Sequence, residues 1–171
     1  MRVADKIAEW MADKGLTHAF GIIGGGNFAI WDAVARLKKT QIVCVHHEQA
    51  AAMAAAYYFR TCGRIAPVLV TTGAGSSNAI TGVLAAWMDS TPLLVLSGNE
   101  AKKHMGAVTR VWGVQGYGSS ELSRPIVKSA VRITAPDTAI GSLEGAYELC
   151  LSERHGPVWI DIPKDVQSAI R

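Results

Sequence analysis

The stretch APVLVTTGAGSSNAITGVLAAWMDSTPLLVLSG, Ala66 to Gly98, carries a complete structural unit. Its ends, APVLVTT and TPLLVLSG, are apolar without alternation, the pattern of strands buried on both faces. Between them GAGSS is a glycine-serine turn that leads into a helix. Two such strands with a helix between them make a parallel pair joined by a crossover.

The same alternation extends in both directions. Apolar residues at helical spacing (Val3, Ile7, Trp10, Met11) predict a helix over 3–13, ended by Gly15. His18–Ile23 reads as a strand, GGGNFAIWDAVARL as a glycine turn and helix capped by Asn27, QIVCV as a strand, and His47–Thr61 as a helix. Beyond the central unit, residues 99–123 are glycine-rich and irregular. Val127–Ile133 reads as a strand, Asp137–Ser152 as a helix and GPVWIDIP as the last strand. Repeated strand-helix order predicts one α/β domain over residues 1–171: a doubly wound, mainly parallel sheet with helices on both faces. Ligands of such sheets bind outside the carboxyl ends of the strands. Three loops there stand out: Gly24-Gly25-Gly26, the Val45–His47 junction before Glu48, and Gly73–Ser77.

Composition narrows the classes. Hydrophobic residues make up 49% and charged residues 18%, so part of the surface is expected to be buried against something else. The net charge is +3, and the basic residues form only pairs such as Lys38-Lys39 and Lys102-Lys103, without interleaved aromatics. That is not the pattern of a nucleic-acid-binding face. Cys44, Cys62 and Cys150 show no CxxC spacing, which points to a reduced, cytoplasmic chain without a structural metal. The N-terminus, MRVADKIAEWMADKG, lacks the apolar core of a signal peptide. No apolar run reaches the ~18 residues needed to span a membrane.

Glu48 is the candidate acid. An acid in the first helical turn is favoured by the helix dipole, which is reason enough for a Glu there. Here, however, the helix continues as Ala50, Ala51, Ala52, Ala54, Ala55 and Ala56, with no cation before Arg60 and no partner at i+3 or i+4. A carboxyl group in apolar surroundings keeps or exchanges a proton near neutrality, which suits general acid–base work. GAGSSN ahead of a helix would cradle a phosphate on free backbone N–H groups, or simply make a tight turn. No GKS or GKT follows, so it is not a P-loop. Ser76 and Ser77 lack the GxSxG spacing of a nucleophile elbow. His46 and His47, about 100° apart on a helix, do not chelate one ion. Trp10, Trp31, Trp87, Tyr57 and Tyr58 read as core or interface.

Taken together, FGIIGGGNFAIWDAV, HHEQAAAMAAAYYFR, TTGAGSSNAITGVLAAWMDSTPLLVLSG and GPVWIDIPKDVQ resemble the N-terminal, pyrimidine-binding (PYR) domain of thiamine-diphosphate-dependent enzymes, closest to the acetolactate synthase branch. VQGYGSSELSRPIVK adds a glutamine ten residues before Pro125. The likeness covers nearly the whole chain and implies the thiamine-diphosphate-binding fold of PYR type. In this family the acid of the His-Glu-Gln motif hydrogen-bonds N1′ of the aminopyrimidine. It favours the imino form that takes the proton from thiazolium C2, and a 2-oxo acid is then decarboxylated. The matching acid is Glu48, preceded by His47. Gly24 and Gly25 match a turn near the reacting carbon, and Gln115 a glutamine lining the active site. Gly73, Ser77 and Asn78 match the turn beside the aminopyrimidine. Ile22-Ile23, Ala74, Val114 and Gly116 depart from the branch's pattern, mostly on the substrate side.

The family's diphosphate and Mg²⁺ site belongs to a second (PP) domain, marked by Gly-Asp-Gly and a downstream Asn. This chain has no Gly-Asp-Gly, nor the branch's middle domain. The resemblance therefore implies one subunit of a split enzyme whose partner PP chain supplies that site, expected as α2β2. Sulfopyruvate decarboxylase is a family precedent for two chains. The reaction implied is decarboxylation of a 2-oxo acid with transfer to an acceptor carbonyl. Simple decarboxylation, a non-catalytic scaffold and an excised domain are the alternatives.

Overall fold

In the computed structural model, which describes residues 1–106 and 109–171, the elements follow in regular alternation. They are α1 (Val3–Asp13), β1 (His18–Gly21), α2 (Phe28–Leu37), β2 (Gln41–Cys44), α3 (Glu48–Cys62), β3 (Val68–Val70) and α4 (Ala74–Ser77). Then come α5 (Ile80–Met88), β4 (Leu93–Asn99), α6 (Ser119–Ser123), β5 (Ser129–Arg132), α7 (Ala139–Leu151), β6 (Pro157–Pro163) and α8 (Lys164–Ser168). The strands form one six-stranded sheet in the order β2-β1-β3-β4-β6-β5, with every neighbouring pair parallel.

The unbroken apolar strands bury both faces because each side of the sheet has its own core. Side chains alternate along a strand. Leu69, Leu94, Leu96, Val158, Ile160 and Ile162 face a core shared with α1, α2 and α7. Val68, Val70, Leu93, Val95 and Trp159 face the other core, against α3 and α5. The connection after β1 thus lies on one face and the connection after β3 on the opposite face. Since β1 and β3 are neighbours, a crevice opens between their carboxyl ends.

The alanines of α3 serve this second core. Ala51, Ala52, Ala55 and Ala56 are buried, and a Cβ on Gly82 of α5 would stand 2.5 Å from the Ala52 methyl. The alanine-rich side of α3 thus packs on α5 of the same chain. Trp10 and Trp31 are core residues, whereas Tyr57, Trp87 and Met88 are exposed.

Several boundaries differ from the sequence reading. β1 ends at Gly21, so Ile22-Ile23 belongs to the loop, and β3 is confined to Val68–Val70. The helix after the Gly/Ser turn is two helices, broken at Asn78-Ala79. Asn27 stands at the N-cap of α2 without capping it by its side chain. Its Oδ1 accepts from Gly24 N–H (2.8 Å) and its Nδ2 donates to the Ile22 carbonyl (3.1 Å), which closes the glycine loop on itself. The segment 99–123 contains a 3₁₀ turn at Lys102–His104 as well as α6; its residues 107–108 lie outside the described residues.

Candidate active site

Thr71, the first residue beyond β3, fastens the two sides of the crevice. Gly26 N–H donates to Thr71 Oγ1 at 3.0 Å. A Cβ on Gly24 would fall 2.5 Å from the same oxygen, and one on Gly75 would fall 2.5 Å from Thr71 Cγ2. Two glycine turns thus close around one threonine, and neither tolerates a side chain there. Behind them, a Cβ on Gly98 would reach 2.1 Å from the Gly26 carbonyl oxygen, so β4 also requires a glycine to let the loop settle.

Glu48 opens α3 beneath this arrangement. His47 is the extended N-cap, and its Nδ1 accepts from Gln49 N–H at 3.2 Å, which starts the helix with Glu48 as its first residue. Glu48 is 6% exposed. The carboxylate's partner comes from the next helix on the same face of the sheet: Asn78 Nδ2 donates to Glu48 Oε2 at 2.9 Å. The break between α4 and α5 puts Asn78 at the C-cap of α4. Oε1 lies 3.2 Å from where a Cβ on Gly75 would be, so a side chain there would press on that oxygen.

Gln115 and Gly25 lie elsewhere on the same edge. They border a cleft of about 300 Å³ with Gly26, Thr72, Glu100, Val114 and Lys164; Glu48 is outside that lining. Gln115 Nε2 donates to the Thr72 carbonyl at 2.9 Å. Gly73 (φ 71°) lies under Gln115, with its would-be Cβ 2.9 Å from the Gln115 carbonyl oxygen. Gly25 faces open space. Ser77 Oγ donates to the Ala74 carbonyl (3.3 Å), and His47 is turned toward its own helix. The sequence-derived residues therefore form two groups, Glu48 with Asn78, and Gln115 with Gly25 and Gly73, joined through Gly75, Thr71 and Thr72.

Two features were not foreseen. One is a buried polar chain behind the turn. Ser76 Oγ bonds both the Gly73 carbonyl and Tyr117 Oη, each at 2.9 Å. The Tyr117 carbonyl and Asp161 Oδ2 each accept from Asn99 Nδ2 at 3.0 Å. Arg132 Nε donates to the same Asp161 oxygen at 2.9 Å. Burial pushes the Tyr117 hydroxyl above its ordinary pKa. Burial also pushes the Asp161 carboxyl up, against the pull of Arg132 and Asn99. The other feature is Glu100, 6% exposed in the wall of the Gln115 cleft, which accepts from Lys164 Nζ at 2.5 Å. A Cβ on Gly113 or Gly116 would come within 2.7 Å of the Glu100 side chain, so the loop is folded around this acid. The glycine spacing of 113–116 was the available signal, but without the fold nothing tied it to Glu100.

Among the described residues, no group of three His, Cys, Asp or Glu side chains is placed to hold a metal ion. No helix is long and apolar enough to cross a membrane.

Comparison with known proteins places the chain in a family. The family described as "Thiamine pyrophosphate enzyme, N-terminal TPP binding domain" matches residues 1–124. The acetolactate synthase large subunit of Haemophilus influenzae is 35% identical over 95% of this chain and 28% of that protein. The acetolactate synthase isozyme 3 large subunit of Escherichia coli K12 is 37% identical, with the same shares covered. The mitochondrial acetolactate synthase of Schizosaccharomyces pombe is 33% identical over 95% of this chain and 24% of that protein. The chain spans about a quarter of the length of these relatives.

Proposed function

The chain belongs to the thiamine pyrophosphate enzymes, matching their N-terminal TPP binding domain, and from that premise we propose that it is the PYR subunit of a two-chain enzyme. With a separate PP chain it decarboxylates a 2-oxo acid and passes the acyl unit to an acceptor carbonyl. The partner holds the diphosphate and Mg²⁺; α2β2 is the smallest assembly that gives paired sites, and the compartment is the cytoplasm.

One observation carries the reading: Glu48, buried near the switch point, has Oε2 held by Asn78 and Oε1 beside Gly75 without a hydrogen-bond partner among the described residues. That is what a ring nitrogen needs from a carboxylate. Beside it Gly75, packed on Thr71, adds no side chain that would press on Oε1. Glu48 would share the proton of the pyrimidine nitrogen at Oε1, and Asn78 would keep the carboxylate in that orientation. Gly25 and Gln115 would border the substrate side. Thiamine diphosphate, when bound, supplies the electron sink for breaking the bond to carbon dioxide.

The test is affinity capture of the chain from extract of its own cells with thiamine diphosphate and Mg²⁺ present, read by mass spectrometry. A stoichiometric partner with Gly-Asp-Gly and a downstream Asn is expected, and the pair should turn over a 2-oxo acid. Recovery of the chain alone, unable to bind cofactor, would overturn the two-chain reading.

A further inference from the structure

A second and larger cleft, about 680 Å³, adjoins the Gln115 cleft. The two share Gly25 and Lys164 in their walls, so the larger space begins where the Gln115 cleft ends. That space has a short apolar stretch, with Phe28 60% exposed beside Ala29 and Ala101, and then a basic end formed by Lys103 and His104.

The charges there are unequal. Lys164 is already tied to Glu100. Asp165, the acid of the larger cleft, accepts from the Lys102 backbone N–H at 3.2 Å. Lys102 Nζ donates to the Thr134 carbonyl, which leaves its charge uncompensated nearby. Among the described residues neither Lys103 nor His104 forms an ion pair. Both are exposed.

We propose that the substrate is a 2-oxo acid whose far end carries a second anionic group, received by Lys103 and His104, while Lys164 faces the carboxylate nearer Gln115. This rests on the function proposed above and adds to it the class of substrate. Glu100 fixes the direction of the Lys164 ammonium and offsets its charge, so discrimination for a second negative charge falls to Lys103 and His104. The overall change, 2-oxo acid giving carbon dioxide and an acyl unit, leaves the far group untouched. It therefore serves only recognition.

The test compares two five-carbon probes that differ in the far group, 2-oxoglutarate and 2-oxopentanoate. On the assembled enzyme, kcat/KM should favour the dianion by at least about tenfold at low salt and less so at high salt. Lys103→Met should bring the ratio toward one, and Lys103→Arg should restore it. On this chain, the ring protons of His104 followed by NMR should shift saturably with the dianion and not with the monoanion. Turnover of the monoanion at an equal or higher kcat/KM, or equal shifts with both probes, would overturn the inference. Dianion-specific shifts without turnover of any 2-oxo acid would instead overturn the proposed function and leave the anion site standing.

Discussion

Asn78 Nδ2 and Glu48 Oε2 meet at 2.9 Å, thirty residues apart in the chain. The contact joins the break between α4 and α5 to the first turn of α3. A hydrogen bond to a charged group contributes roughly 1.5–3 kcal/mol. Asn78→Ala is therefore expected to cost stability in that range in urea unfolding of the chain. Asn78→Asp should cost more, because it sets two carboxylates against each other. Both should weaken thiamine diphosphate binding by the assembled enzyme.

Gly73 has φ 71° and ψ −132°, and its would-be Cβ meets Gln115 at 2.9 to 3.1 Å. Strain and contact act together at this position. Gly73→Ala should lower the unfolding free energy by roughly 1–3 kcal/mol. Gly25→Ala, where nothing lies within 4 Å, serves as the matched control and should leave folding stability nearly unchanged in the same urea titration.

Gly82 allows α5 to lie directly on α3. A Cβ there would sit 2.5 Å from the Ala52 methyl and 3.2 Å from backbone atoms of Gln49 and Met53. Neither neighbour is a flexible side-chain end, so Gly82→Ala must push the helices apart. The expected cost is about 1–3 kcal/mol, read as a lower urea midpoint with an unchanged m-value.

The acid limb of stability should report the N-terminal ion cluster. Asp5 accepts from Arg2 and Arg36, and its bond with Arg2 holds its pKa down at about 2, from 3.8. Asp32 is held below its ordinary value by the same two arginines, Arg2 first. A depressed carboxylate stabilises the fold above its unfolded pKa and loses that contribution as pH falls through the folded one. Asp5→Asn should thus be less stable than wild type near neutral pH, and the two should converge between pH about 4 and about 2. Urea titrations across that range check it; a constant difference at every pH would contradict it.

The sheet was legible because strands such as VLV and PLLVLSG are apolar on both faces, which only a sheet with two cores accommodates. Glu48 was legible as an acid at a helix start without a local cation, and the partner that takes a cation's place, Asn78, was named for a neighbouring role. Its bond to Glu48 was hidden because it depends on the helix break at 78–79, which GSSNAITGV does not announce. Glu100 and Lys164 are sixty-four residues apart and meet only once β4 pairs with β6. The chain Ser76–Tyr117–Asn99–Asp161–Arg132 likewise spans five segments that no local pattern connects. Asn27 shows the converse: the cap residue type was right, but its side chain closes the loop before the helix instead of bonding the helix itself.

The most direct test is the rate of 2-oxo acid decarboxylation by the assembled two-chain enzyme with Glu48→Gln, at saturating thiamine diphosphate and Mg²⁺. Glutamine matches the shape of the acid but cannot exchange the proton. The expected result is a loss of about 10²- to 10⁴-fold in kcat, with the variant still folded and unfolding cooperatively in urea. A variant that binds the cofactor and turns over at nearly the wild-type rate would contradict the assignment of Glu48 and reduce it to an acid at a helix start.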